Sequence, residues 1–151
     1  MKSILLSAIA LLNAFAQHAQ IITVSLSSSR NFKHSTGVST REAMYSDSMS
    51  YSNSVRSENV IVFDFNEKKI ILNNHNPCEI IQVNTNGNIL DCVVLDNGVN
   101  VSFKLGKNEK GLMQFLSEWE WDGKVNGYFT LNSDVRYSVQ NDGTQVAAAD
   151  H

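Results

Sequence analysis

The sequence predicts a mainly β protein of the α+β type. We expect an antiparallel meander that forms one sheet or a partly closed barrel, with one packed helix and a Ser-rich segment before it. Three observations predict this fold. Short runs rich in β-branched residues recur from residue 60 onward, tight-turn dipeptides separate several of them, and one helical periodicity follows the last of these turns.

Residues 1–16 have the composition of a cleaved secretory signal. Lys2 supplies a positive charge, residues 4–12 are almost all apolar, and residues 14–16 (Ala-Phe-Ala) place small side chains where a signal peptidase reads them. This run is shorter than the about 20 apolar residues that cross a bilayer, so we expect no membrane span. The first later cysteine is Cys78. The sequence therefore predicts a secreted or periplasmic protein that is not a lipoprotein.

Size and charge restrict the partners of the exported chain. Removal of the signal with Lys2 leaves 135 residues, a length typical of one domain. These residues carry 11 Lys and Arg against 15 Asp and Glu, a formal charge of −4. Binding of a phosphate backbone draws on clustered cations, and here they are dilute, so we expect no nucleic-acid partner.

Residues 17–59 are predicted to form a first strand and then a Ser-rich segment. Residues 21–26 are β-branched and short, which is typical of a strand. Residues 25–57 hold twelve serines in 33 positions, the composition of a linker or of an exposed, disordered loop. Between residues 46 and 54, serines alternate with other residues, and this pattern also allows an edge strand.

Residues 60–139 are predicted to form the antiparallel β domain with its helix. Residues 60–65 and 68–72 are β-rich runs that should pair as a hairpin around Asn66 and Glu67. In that register Phe63 faces Ile70, and Ile61 faces Leu72. Apolar side chains on both faces predict a central position in the sheet.

Two Asn-Gly dipeptides predict two further hairpins, because each supplies the positive φ angles of a tight turn. Asn86-Gly87 separates residues 79–83 from the next run, and Asn97-Gly98 separates residues 91–96 from residues 99–105. The registers place Val83 opposite Leu90 and Ile81 opposite Cys92 in the first hairpin, and Val94 opposite Val101 and Cys92 opposite Phe103 in the second.

A helix over residues 109–119 is predicted next. Asn108 is a suitable N-cap, and the apolar side chains that follow have the spacing of one buried helical stripe: Leu112, Phe115, Leu116 and Trp119. Residues 128–131 and 135–139 are predicted as closing strands, and residues 140–151 as a frayed tail.

The two cysteines allow two interpretations. Cys78 and Cys92 close a short loop, which in an oxidising compartment is compatible with a disulfide. The predicted hairpin places Ile81, not Cys78, opposite Cys92, so a bond requires the chain to fold back. The alternative is two buried free thiols.

The densest cluster of functional groups is Glu118, Trp119, Glu120, Trp121 and Asp122. In a strand, the carboxylates share one face, where they can act as general acid and base, and the tryptophans on the other face can bind sugars as ligand platforms. In a helix, the carboxylates rotate apart and Trp119 joins the core. The stripe that ends at Trp119 favours the second, structural interpretation.

No motif in the sequence predicts a cofactor. The four histidines lack metal-ligand spacing. A site could still assemble in space from His75 with Asp91 or Asp96, but lone histidines in polar loops are usually solvated, so we expect no metal. The leading hypothesis is an exported, non-enzymatic module that binds a small apolar ligand, a glycan or a partner protein. The alternative is a small secreted, glycan-directed hydrolase that uses Glu118, Glu120 or Asp122.

Overall fold

The structure, a computed structural model, describes residues 20–46, 48–52, 56, 58–86, 89–141 and 144–147. The predicted signal at residues 1–16 lies outside them. The strands are β1 (Gln20–Leu26), β2 (Arg30–Ser35), β3 (Ser50–Tyr51), β4 (Asn59–Asp64), β5 (Lys69–Leu72), β6 (Cys78–Asn86), β7 (Ile89–Asp96), β8 (Val99–Lys107), β9 (Met113–Trp121), β10 (Lys124–Leu131), β11 (Val135–Asn141) and β12 (Thr144–Ala147). A helix, α1, spans Thr40–Tyr45, and a 3-10 turn spans Asn132–Asp134.

The predicted antiparallel meander is confirmed, and it belongs to one rolled sheet. The order of the strands is β12-β11-β1-β4-β5-β6-β7-β8-β9-β10-β2-β3. Eight strand spacings separate β1 from β2, which in a flat sheet is roughly 38 Å. The connection from Leu26 to Arg30 reaches at most about 14 Å. The sheet therefore curls until β1 approaches β2, but β12 and β3 remain as its ends and the sheet is not closed.

Aromatic side chains fill the inside of the roll. The ring centroids of Phe63 on β4 and Phe103 on β8 lie 6.0 Å apart, although three strands separate β4 from β8. Phe115 lies 6.0 Å from Phe103 and 6.1 Å from Tyr128. Aliphatic side chains from β1, β4, β7 and β8 surround this row, and most are at most 3% exposed. Burial of these side chains is the main force that stabilises the roll.

Hydrogen bonds hold the corner where β1 continues into β2. The carboxylate of Asp134 accepts hydrogen bonds from Ser27 Oγ at 2.7 Å and from Ser28 Oγ at 2.8 Å. Thr130 Oγ1 donates to the Ser28 carbonyl oxygen at 2.6 Å. The bonds from the two serines lower the pKa of Asp134, because they favour its charged form. The 3-10 turn Asn132–Asp134 joins β10 to β11 at the same corner. The β1–β11 pair and the β2–β10 pair therefore meet there.

Two of the three predicted hairpins have the expected register. Phe63 pairs with Ile70 and Ile61 with Leu72 across β4 and β5. Across β7 and β8, the predicted pairs Val94–Val101 and Cys92–Phe103 are both present. Asn97 and Gly98 have φ angles of 48° and 83°, as a tight primed turn requires.

The predicted register of the β6–β7 hairpin is wrong. Val83 pairs with Cys92, and Leu90 pairs with Thr85. The last pair is Asn86 with Ile89, so Asn86 belongs to the ladder instead of the turn, and the two residues between lie outside the described residues. A bulge between Ile80 and Gln82 adds a further shift of one residue.

The predicted helix over residues 109–119 is also wrong, since Met113–Trp121 is strand β9. Its apolar residues resemble a helical stripe because both faces of β9 are covered. Phe115 points into the roll, whereas Leu116 packs on the opposite face against a second cluster of buried residues. Asn108 does not cap a helix: its Oδ1 accepts hydrogen bonds from the amides of Lys110 and Leu112 in a turn.

The helix instead lies in the Ser-rich segment, whose composition predicts a linker or disordered loop but which contains β2, α1 and β3. Ser39 and Glu42 form a capping box at the start of α1. Ala43 and Met49 are buried with Phe32 on the outer face of the sheet. The two-residue β3 ends the sheet order, where an edge strand was one of the predictions.

Residues 128–131 and 135–139, predicted as closing strands, lie within β10 and β11, although β10 begins earlier, at Lys124, and the sheet is not closed. The tail after residue 139 differs from the predicted frayed end. β11 continues to Asn141, and β12 pairs with it from Thr144 to Ala147. Residues 142–143 and 148–151 lie outside the described part of the chain.

Candidate functional site

Glu118, the first of the predicted catalytic carboxylates, is held in a network of polar side chains. Its Oε1 accepts a hydrogen bond from Lys104 Nζ at 3.0 Å, and its Oε2 accepts one from Thr40 Oγ1 at 2.5 Å. His34 Nε2 lies 3.0 Å from the same Thr40 hydroxyl, and Nδ1 lies 2.9 Å from the carbonyl oxygen of Ser35. The network therefore joins β2, α1, β8 and β9.

The direction of these hydrogen bonds indicates a structural role for Glu118. A carbonyl oxygen only accepts, so His34 Nδ1 donates to Ser35. Thr40 gives its single proton to the Glu118 carboxylate, and His34 Nε2 lies within hydrogen-bond distance of the same hydroxyl oxygen. Both oxygens of Glu118 already have partners, and its side chain is only 20% exposed. Its contacts attach α1 to the sheet.

The other residues of the carboxylate and tryptophan cluster are not gathered at one site. Glu120 is exposed on the same face of β9 as Glu118, and Asp122 is exposed in the following turn with a φ of 51°. Strand alternation places Trp119 and Trp121 on the opposite face, where Trp119 is half-buried and Trp121 is 64% exposed. This is the arrangement of the strand interpretation, with Glu118 and Glu120 on one face of β9 and the tryptophans on the other. The helical interpretation of this cluster is wrong.

Cys78 and Cys92 are free thiols, so the disulfide alternative is not realised. Their strand partners explain this, because Cys78 pairs with Ile70 and Cys92 with Val83. Burial raises the pKa of Cys92 to about 12. Burial also raises the pKa of Cys78, and the negative charge of Asp96 adds to this effect. Both groups are protonated near neutral pH and are poor nucleophiles.

Asp96 and Cys78 line an open groove of about 500 Å³. The other lining residues are Leu72, Asn74, His75 and Asn76. The groove thus brings together His75 and Asp96, two of the residues considered for a metal. Within the described residues, no three His, Cys, Asp or Glu side chains have the geometry of a metal site. The shifted pKa of Cys78 also argues against a thiolate here.

The burial of Cys92 leads to a prediction about alkaline pH. Its pKa is about 12 in the folded protein against an ordinary value of 9.0, so the unfolded chain loses this proton first as the pH rises. The contribution is fully present below pH 9.0 and falls above it, by at most about 1.4 kcal/mol per pH unit. Urea unfolding of the wild type between about pH 8 and about pH 11 should show this decline.

Cys92→Ala is the matched variant for this measurement. In the variant, the slope of stability against pH should correspond to about one proton fewer. The part of the decline that comes from the buried Tyr128 and Tyr137, whose pKa values are also raised, should persist. Equal slopes in the two proteins would contradict the assignment.

A further feature, the outer edge of β6, was not predicted. β5 is four residues long and β6 is nine, so β5 cannot cover its neighbour. The ladder between them consists of Lys69 with Glu79 and Ile70 with Cys78, and one hydrogen bond from the Ile80 amide to Lys68 follows. Among the described residues, β6 pairs with β7 alone from Gln82 to Asn86, and Ile81 is the bulged residue before this stretch. The runs predicted from the sequence, residues 68–72 and 79–83, are equal in length, so no local pattern indicated this edge.

The side chains from Ile81 to Thr85 on this edge are exposed and uncharged. Ile81 is 48% exposed and Val83 is 42% exposed. No residue from Ile80 to Asn86 carries a charge. An open groove of about 220 Å³ runs beside the edge and is lined by Phe65, Lys68, Ile80, Ile81, Gln82 and Val83. Unpaired backbone and a partly apolar groove therefore lie side by side.

Comparisons with known proteins do not assign the site. No family model, curated protein or solved structure matches the chain. Across the residues that the structure describes, no helix is long and apolar enough to cross a membrane.

Proposed function

We propose that this chain is an exported, non-enzymatic binding module, and that the free edge of β6 takes an extended polypeptide segment of another molecule. The observation that carries the proposal is the uncharged stretch from Ile81 to Asn86, whose outer edge has no strand partner among the described residues. Such an edge presents a row of backbone donors and acceptors, and an added strand satisfies them.

The groove beside the edge supplies the contacts that select a sequence. Added strands obtain affinity from main-chain hydrogen bonds and specificity from pockets for alternate side chains. Phe65 and Ile80 provide an apolar wall, and Lys68 lies in the same groove, near the bulge of β6. The segment that fits is extended and mostly uncharged, with an apolar side chain at every second position.

Other observations support binding over catalysis. Glu118 is engaged by Thr40 and Lys104, and the raised pKa of Cys78 keeps that thiol protonated. Aromatic side chains fill the roll, which leaves the outer surface as the place for a partner. The composition of residues 1–16 supports the proposal that the module works outside the cytoplasm, with Gln17 as the first residue of the mature chain.

Selection from a displayed library of random ten-residue peptides tests the binding function. The protein purified after expression of the full chain should select peptides with alternating apolar residues. These peptides should slow amide exchange in residues 81–86 of β6. Val83→Lys should weaken their binding at least about tenfold, because a charge at the edge is costly to desolvate.

Val60→Lys is the matched control, since Val60 is 39% exposed but lies on β4, which has neighbours on both sides. It should bind the selected peptides like the wild type. Selection of no peptide by the monomeric protein, or protection confined to other strands, would overturn the proposed function.

A further inference from the structure

We infer that the strand received by β6 comes from a second copy of this chain, so that two β6 edges pair in an antiparallel manner around a twofold axis near Val83. This inference rests on the proposed function and names its partner. Across such an axis, Val83 lies opposite its own equivalent, Gln82 opposite Asn84, and Ile81 opposite Thr85.

Charge is the first argument for a second copy. A residue on a twofold axis meets itself, so any charge there would meet a like charge and destabilise the pair. β6 has no charge from Ile80 to Asn86, although the whole chain carries a net charge of −3. Opposed β-branched and amide side chains, as in these pairs, are compatible across an antiparallel ladder.

The weak protection along this edge is the second argument. Exposed edges are usually guarded by Lys, by Pro, by bulges or by short strands. The edge strand β3 is two residues long and so has little backbone to offer. On β6, the one bulge lies between Ile80 and Gln82, at the beginning of the free stretch, and neither Lys nor Pro follows it up to Asn86. An exposed edge with so little protection is available for pairing with another strand.

Geometry supports a closed dimer. Twofold pairing uses the free edge of both copies, so it ends with two chains and continues one sheet across the interface. Ile81 and Val83, 48% and 42% exposed in the single chain, would contact the second copy. The Phe65 wall of each groove would flank the added strand.

Analytical ultracentrifugation tests the inference. The sample is the protein that is purified after the full chain has been expressed. From about 1 µM to about 1 mM, the wild type should convert from monomer to dimer. Val83→Lys and Val83→Glu should each dimerise at least about tenfold more weakly, because like charges meet at the axis. An equimolar mixture of these two variants should recover a dimer of one copy each, and Val60→Lys should dimerise like the wild type.

The outcomes separate this inference from the proposed function. Recovery in the mixture also shows that both variants are folded. If the wild type stays monomeric while its β6 edge binds selected peptides, the pairing with a second copy is wrong and the proposed binding function stands. A monomer that binds no peptide overturns both. Dimerisation of Val83→Lys as strong as that of the wild type would overturn the twofold pairing. Slowed amide exchange in the dimer at strands other than β6 would do the same.

Discussion

Replacement of Gly127 with alanine is expected to lower the free energy of unfolding by about 2–3 kcal/mol. Gly127 lies on β10 beneath the ring of Phe32. A Cβ atom at this position would lie 2.3 Å from the carbonyl oxygen of Ser117 and 2.4 Å from Phe32 Cζ. One of these neighbours is backbone and the other is a buried ring, so neither can move cheaply. Urea unfolding monitored by circular dichroism measures the loss.

Gly123→Ala is the control for the effect of losing a glycine. Gly123 has a φ of +65° and no atom within 4 Å of the added Cβ, so alanine there should cost only the backbone strain, about 1 kcal/mol. Phe32→Leu should relieve part of the overlap, so the double variant with Gly127→Ala should lose less stability than the sum of the single losses. A Gly127→Ala protein at least as stable as Gly123→Ala would show that the ring does not cover this glycine.

Phe115→Ala is expected to cost about 3–5 kcal/mol, because it removes a whole ring from the filled roll. Phe115 is 0% exposed, and its ring lies between those of Phe103 and Tyr128. The neighbouring strands hold those rings in place, so the cavity cannot collapse completely. The same unfolding measurement determines the loss.

Leu112→Ala gives the contrast that separates a strand from a helix. In the helical interpretation, Leu112 and Phe115 share one buried stripe, and both substitutions should be severe. In the structure, Leu112 precedes β9 and is 37% exposed, so its truncation should change stability by about 0.5 kcal/mol or less. A large loss at Leu112 would favour the helix over the observed strand.

Local features were the ones that the sequence predicted well. Asn97-Gly98 specified both a turn and the register of the strands beside it, because that dipeptide suits positive φ angles at both positions. β9 was misassigned because its two faces pack against different cores, so Phe115 and Leu116 are apolar for separate reasons. Periodicity alone does not distinguish a strand covered on both faces from a helix.

Long-range features were outside the reach of local patterns. Glu118 was a candidate from its position in a cluster, but Thr40, 78 residues away, is among the groups that fix its role. The free edge of β6 depends on how β5 and β6 align, and the predicted register of the β6–β7 hairpin was also shifted. The rolling of the sheet depends on the corner after β1, whose hydrogen bonds join residues more than 100 apart.

That corner has a consequence for how the chain reaches its fold. β1 lies between β4 and β11, and its pairs with β11 join residues more than 100 positions apart, such as Leu26 with Val135. The hairpins from β4 to β10 need only short loops, so they can form while β1 has one neighbour at most. Contacts of high sequence separation slow folding, since a long loop must close before they form. We therefore expect β1, which precedes all of these hairpins in the chain, to obtain its second neighbour among the last steps of folding.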